Sequence, residues 1–420
     1  MEFNGADSVF VLICTALVML MTPALALFYA GMVRKKNAVS TTMHSYIAIA
    51  LVSIQWVVIG YTLVFGNDIG GIIGDLRYAF LNGVGFEPNA DYAATIPHQG
   101  FMLFQMMFAI ITPALISGSF AERMRFPAVI LFTLAWTTLV YDPIAHWVWG
   151  VGGWIRNLGA LDFAGGNVVH ISSGVSALVL ALIIGKRKNL KDIKAHNIPM
   201  TIIGGGLLWF GWFGFNAGSA LGLNDVALDA FITTNTSAAA AGLAWMIGEY
   251  VHTKKFSALG FISGAVAGLV AITPGAGFVS PMVSLMIGII GGLVCFSAVT
   301  FLKEKLGYDD ALDAFGCHGI GGIWGGIAVG LFGSTGINSA GADGLLYGGG
   351  VTLLIAQVIS IVATIAFAAI ATFIIVKVIG LFTAFRATDY EEEYGLDITQ
   401  HGKDAYGEVE ELEERKSFSA

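Results

Sequence analysis

Charge is what this sequence has least of. Only 12% of its 420 residues are Asp, Glu, Lys or Arg, about half the roughly 25% of an average soluble domain. A surface so poor in charge cannot be covered by water, which excludes an ordinary soluble globular protein. Cysteine is scarcer still. Cys14, Cys295 and Cys317 lie far apart in apolar stretches, which excludes a disulfide framework and a thiolate metal site. The first seven residues hold no lysine or arginine, and the apolar run after them is long enough to span, so a cleaved signal peptide is not expected. There is no H-E-x-x-H pair and no G-x-S-x-G elbow, so no hydrolase is signalled. Nothing calls for a cofactor or a metal, and no basic stripe points to nucleic acid.

What is present is apolar and small. Hydrophobic residues make up 56% of the chain, mean hydropathy is +0.77 and glycines number 55. Glycine is thus well above its usual share of about 7%. Small residues let helices approach closely in a bilayer, where no hydrophobic effect drives them together. A span needs about 20 mostly apolar residues. Eleven such stretches occur, at 8–33, 41–65, 99–119, 127–148, 166–185, 198–219, 227–250, 256–273, 280–302, 313–332 and 349–380. The expected fold is an all-α polytopic membrane protein.

Basic residues give its orientation. With the N-terminus outside, every lysine and arginine except Arg77 and Arg156 falls on the inner side, as the positive-inside rule requires. The C-terminal tail is then cytoplasmic. From Ala384 onward it carries eleven acids and four bases, so most of the net charge of −8 belongs to this solvated tail.

Two stretches stand out, Asp162 to His170 and Asp310 to His318. Each sets a histidine eight residues after an acid, at the start of an apolar, glycine-rich span. The two spans run in opposite directions, which fits inverted five-helix repeats with a site between them. The division is residues 1–197 for spans one to five, 198–348 for spans six to ten, 349–383 for the last span and 384–420 for the tail. An intramembrane histidine is costly and usually functional. Two facing imidazoles can share one proton and pass another; the structural alternative is a pair that only fixes helix packing. His44 and His146 read as interfacial or capping residues, and His98, His196, His252 and His401 as solvated ones. Asp162 reads as a helix cap, or as negative potential below a cation site. Phe108, Trp149 and Phe215 could attract a small cation with their ring faces, or belong to an aromatic belt. Ser219 could accept a hydrogen bond from a cation that carries N–H groups.

Several blocks resemble one family. Ala26 to Asn37, Ala121 to Phe126, Asp162 to His170, Trp212 to Ser219 and Asp313 to Gly322 are similar to segments of the ammonium transporters (Amt/Mep, related to Rh proteins), in the same order along nearly the whole chain. The resemblance implies eleven helices, a homotrimer with one pore per subunit, and no enzymatic activity. It implies that Phe108 and Phe215 form a gate and that Trp149 and Ser219 line an outer ammonium site, with Trp147 and Trp154 as neighbouring candidates for Trp149. His170 and His318 would be paired pore histidines, Asp162 the acid beneath the outer site and Asp313 the acid ahead of the second histidine. The tail residues Gly395 to Asp397, His401-Gly402 and Ala405-Tyr406 resemble a segment that touches neighbouring subunits. A trimeric PII-class signalling protein is the soluble partner implied at the cytoplasmic face. An ammonium sensor and a neutral-gas channel of the Rh type are the alternatives; the residues after Ala384 are too few for a kinase or cyclase domain. The acidic run after Tyr406 is not explained by the resemblance.

Overall fold

The computed structural model describes residues 3–188, 190 and 194–407. The acidic run from Glu408 onward lies outside the described residues. The fold is a bundle of long helices: α1 (Gly5–Met32), α2 (Lys35–Phe65), α3 (His98–Phe120), α4 (Phe126–Asn157), α5 (Gly166–Ile184), α6 (Ile198–Ala220), α7 (Asp225–Thr253), α8 (Ala258–Ile272), α9 (Pro281–Leu306), α10 (Phe315–Phe332) and α11 (Thr352–Ile379). Among the described residues nine of these are long and apolar enough to cross a membrane. The other two also fall where spans are expected. α7 has 29 residues but is rich in polar side chains, including Asp229 and Glu249, and α8 is apolar but only 15 residues long. Two short hairpins, Asp68–Ile69 with Ile73–Gly74 and Pro88–Asn89 with Ala93–Pro97, sit between α2 and α3.

Helix starts carry the polar side chains that free amides need. Asn4 caps α1, Asn197 α6, Asn224 α7, Ser257 α8 and Ser280 α9. Proline stands in the first turn of α4, α6 and α9, where its missing N–H costs nothing. The most extensive packing is between α1 and α6 and between α7 and its neighbours α8 and α9. It depends on small residues: a Cβ on Gly204 of α6 would run into the α1 backbone at Phe28.

The helices are not regular throughout. π-helical turns interrupt α2 at Trp56–Gly60 and α4 at Thr137–Tyr141, and others open α5 at Gly166–Ile171 and α10 at Phe315–Gly319. Such turns re-aim side chains and often mark functional positions. The last two contain His170 and His318.

The described part of the tail folds under the body as α12 (Asp389–Tyr394) and α13 (Leu396–His401). Thr388 and Glu391 form a capping box at the start of α12. Asp397 of α13 in turn caps α2, accepting from the amides of Val39 (3.0 Å) and Ser40 (2.8 Å). Tyr406 reaches the Nε2 atom of His196 at 2.8 Å.

Three expectations about histidines need correction. His98 is 5% exposed and pairs with the Tyr61 hydroxyl. His146 is fully buried between the Val64 carbonyl (2.7 Å) and the Asp68 carboxylate (3.0 Å). His44 is buried against Phe120, with no hydrogen bond to either ring nitrogen among the described residues. Aromatic neighbours cover His44 and His98, and the end of α2 with Asp68 holds His146, which their places near span ends do not reveal.

Candidate functional site

The two histidine stretches meet at the centre of the bundle. Asp162 opens α5 as a carboxylate spread over four free amides. Its Oδ1 accepts from Gly165 (2.8 Å) and Gly166 (2.5 Å), and its Oδ2 from Asn167 (2.8 Å) and Val168 (3.4 Å). Burial pushes the Asp162 carboxyl above its usual range, although the four amides oppose that shift. The counterpart at α10 is Asp310. It is fully buried, and its Oδ2 accepts from the amide of Phe315 at 2.7 Å. The equal acid-to-histidine spacing therefore has a structural cause: in each stretch the acid holds the π-helical turn that presents the histidine.

Asp313, the acid expected ahead of the second histidine, does something else. Its backbone is left-handed, with φ of 61°, so the chain turns there and the side chain points away from the helix start. Its Oδ1 pairs with the ammonium of Lys303 at 2.6 Å, beside the cavity that His318 also lines.

His170 and His318 stack with ring centroids 5.3 Å apart and an interplanar angle of 20°. Their Nδ1 atoms are 3.2 Å apart. Two nitrogens this close hold one proton between them, so one ring donates and the other accepts. The Nε2 atom of His170 is buried and has no partner among the described residues. The rings approach this closely because the backbones do. A Cβ on Gly174 of α5 would collide with the backbone of Gly319 in α10.

The indole of Trp212, on α6, stacks on His170 at 5.5 Å and 23°. Its N–H donates to the Thr273 hydroxyl at 2.9 Å. Phe215, one turn further along α6, lies 6.1 Å from His170 and 4.3 Å from Phe108 of α3. Phe108 in turn meets Trp149 edge-on at 5.9 Å. The Trp149 indole donates to the carbonyl of Asp162 at 3.0 Å, and the Arg156 guanidinium donates to the Trp149 carbonyl at 2.7 Å. Trp147 packs instead on Trp154 and Phe367, so Trp149 is the tryptophan beside the phenylalanine pair. The Ser219 hydroxyl donates to the Phe215 carbonyl at 2.9 Å, which leaves its lone pairs for an N–H donor.

Three cavities lie in series along these residues. The first, about 220 Å³, is lined by Phe108, Trp149, Ser219, Gln105, Tyr92 and Arg156 among others. The second, about 10 Å³, holds Phe215, Trp212, His170 and His318. The third, about 40 Å³, shares Tyr29, Val266 and His318 with the second and ends at Asp313 and Cys317. Phe108 and Phe215 separate the first two, and His318 stands between the second and third. Asp162 does not line the first cavity; it acts on it through Trp149.

Gln105, Tyr29, Trp212 and Arg156 are site residues that sequence reasoning did not single out. The Gln105 carbonyl oxygen is buried beside the first cavity, without a partner among the described residues. A glutamine in an apolar span was a readable signal, because an unpaired amide is costly there. Tyr29 donates to the Leu115 carbonyl at 3.0 Å.

A buried charge cluster closes the side of the basic loops. Glu122 accepts from Arg34 at 2.9 Å, from the Asn37 amide at 2.9 Å and from Arg187 at 2.7 Å. Arg187 also grips Asp309 through two hydrogen bonds of 2.7 and 2.9 Å. Burial pushes the Asp309 carboxyl up, but the hydrogen bonds and charge of Arg187, with Arg123 behind, outweigh it and hold it at about 2. Asp309 precedes Asp310, so this cluster adjoins the cap that holds the His318 turn.

The Ammonium Transporter Family model matches residues 9–406. The chain belongs to the ammonium transporter family. It is 61% identical over 402 residues to the ammonium transporter of Bacillus subtilis (strain 168), covering 95% of this chain and 98% of that one. The crystal structure of Candida albicans Mep2 is 36% identical, with a TM-score of 0.87, covering 93% of this chain and 88% of that one. A solved Sensor Amt Protein is 29% identical, with a TM-score of 0.86, covering 94% of this chain and 98% of that one. The ammonium transporter family and the apolar helices make this a multi-pass membrane protein that transports ammonium.

Proposed function

We propose that the protein captures NH₄⁺ in the first cavity, removes a proton at the phenylalanine pair and conducts NH₃ past His170 and His318, with the proton relayed separately through the histidines. The ring faces of Trp149, Phe108 and Phe215 attract the cation, worth about 0.5–2 kcal/mol as the site dries. Ser219 and Gln105 accept its N–H groups, which Na⁺ and K⁺ do not have. A full charge is expensive at the bilayer centre, and the bore beyond Phe215 offers few partners for one. NH₃ crosses at lower cost, and transport is electrogenic when the proton follows.

The serial arrangement of the three cavities, with the phenylalanines at one junction and His318 at the other, carries this reading. The protein works without a cofactor, as a homotrimer in the cell membrane. Each chain crosses eleven times as two inverted five-helix repeats and a final helix, with the N-terminus outside and the tail inside. A PII-class protein regulates it from the inner face, where the tail and the Glu122 cluster lie. The likeness to the Sensor Amt Protein keeps a sensor role as the second reading. In proteoliposomes of purified protein, ammonium and methylammonium are expected to evoke a current that excess Na⁺ or K⁺ leaves intact. A current carried equally by K⁺ would remove the outer cation site from the account.

A further inference from the structure

We propose that Asp142, in the middle of α4, carries a proton and closes a two-way hydrogen-bonded pair with Gln55 of α2, and that this pair sets the position of Trp149. Asp142 is fully buried inside a span. Among the described residues it has no ion pair, and its carboxyl accepts one hydrogen bond, from the Gln55 amide to Oδ2 at 2.7 Å. That amide also donates to the Thr138 hydroxyl at 3.1 Å, and the hydroxyl gives its own hydrogen to the Leu134 carbonyl. Both Gln55 amide hydrogens are therefore used. Two buried oxygens are left without a partner among the described residues, Oδ1 of Asp142 and Oε1 of Gln55. Both can only accept while the carboxyl is ionised. A proton on Asp142 turns Oδ1 into a donor to Oε1, pairs both oxygens at once and removes a charge that is expensive in a span. Turning the amide over leads to the same proton. The Gln55 oxygen would then face Oδ2 at 2.7 Å, and two oxygens that close need a hydrogen between them.

The pair sits where it can fix the outer half of α4. One π-helical turn starts directly after Gln55, at Trp56–Gly60, and another ends directly before Asp142, at Thr137–Tyr141. Each adds about one residue to a turn, which rotates the helix beyond it by about 100°. Beyond Asp142 lies the segment that carries His146 and Trp149. The neighbours of the pair tie α2 to α3 as well. Trp56 meets Tyr141 edge-on at 6.3 Å and donates its indole N–H to the Met102 carbonyl of α3 at 3.2 Å. Phe108 stands on that same helix. The Gln55–Asp142 pair and the contacts of His146 with Val64 and Asp68 thus register Trp149 and Phe108 against one helix, α2. Asp142 lines none of the three serial cavities, so it is a positioning residue. Its effect on transport rests on Trp149 serving the outer cation site; the protonated pair does not.

The test uses the full chain, in detergent for spectroscopy and unfolding and in proteoliposomes for current. The infrared difference between the parent and Asp142→Asn at neutral pH should show the C=O stretch of a protonated carboxylic acid; a carboxylate stretch in its place overturns the proposal. Asp142→Asn keeps a two-way pair, amide to amide, and should unfold and conduct as the parent does. Asp142→Leu leaves Gln55 unpaired. It should raise the ammonium concentration for half-maximal current and leave the maximal current unchanged, with the about 30-fold loss of a whole cation–π contact as the ceiling. Adding Gln55→Leu to Asp142→Leu should lower the unfolding temperature no further, because no polar partner is then left unpaired. An Asp142→Asn protein that does not fold, or losses that add in the double variant, overturns the pair. A half-maximal concentration unmoved in Asp142→Leu overturns the positioning, and a shift in Trp149→Leu measured alongside shows that the outer-site reading stands regardless.

Discussion

Replacing Asp162 by asparagine separates two accounts of that residue. The carboxylate serves four amides, two on each oxygen. Asp162→Asn keeps one oxygen and turns an NH₂ group toward the other two amides. Each buried donor left unpaired costs about 1–3 kcal/mol, so the expected loss is about 2–6 kcal/mol. That is a large part of the 5–15 kcal/mol that holds a typical domain folded. Asp310→Ala orphans the amide of Phe315, at a cost of about 1–3 kcal/mol. Thermal unfolding of the purified variants in one detergent measures both. Transport should fall together with stability in Asp162→Asn, because the Trp149 indole hangs on the Asp162 carbonyl. An Asp162→Asn protein that unfolds as the parent does, yet no longer binds ammonium, would refute the capping argument and leave a purely electrostatic role.

Three further outcomes are expected. Gly174→Ala should sharply lower the yield of folded protein, because its methyl group has no room at Gly319 and overpacking a core costs about 1–3 kcal/mol or more; normal folding and transport would show that the close approach is not needed. Trp149→Leu should raise the ammonium concentration for half-maximal current about 2- to 30-fold, the loss of one cation–π contact, with Trp147→Leu giving no such shift. The Asp309 carboxyl is held at about 2 in the fold, below its unfolded value near 3.9. Its contribution to stability is therefore complete above about pH 4 and is lost as pH falls toward about 2. Unfolding followed over that range should show a steeper acid loss in the parent than in Arg187→Gln, and identical slopes would contradict the pairing.

The bundle was largely legible because apolar run length reads directly as helix. Even the short α8 was legible, since the expected span 256–273 contains Ala258–Ile272. The histidine pair was legible because an imidazole in an apolar span has no ordinary reason to be there. Phe108, Trp149, Phe215 and Ser219 came together as the family resemblance implied, but spacing alone could not choose Trp149 over Trp147. The contact with Phe108 makes that choice. Asp310 was passed over for Asp313 because the side chain that caps a turn depends on the backbone angle at the turn. A positive φ at a non-glycine residue leaves little trace in sequence. The Glu122–Arg187–Asp309 cluster was invisible for a related reason: its members come from three loops far apart in the chain, and each alone reads as a solvated charge.

The central claim is that the proton and NH₃ travel through the same histidine-lined passage. Ammonium-evoked current in proteoliposomes of His170→Ala and of His318→Ala tests it most directly, with each variant checked for parental unfolding behaviour. Either substitution breaks the Nδ1 contact of 3.2 Å and should abolish the net current. Currents equal to the parent's in both variants would contradict the account.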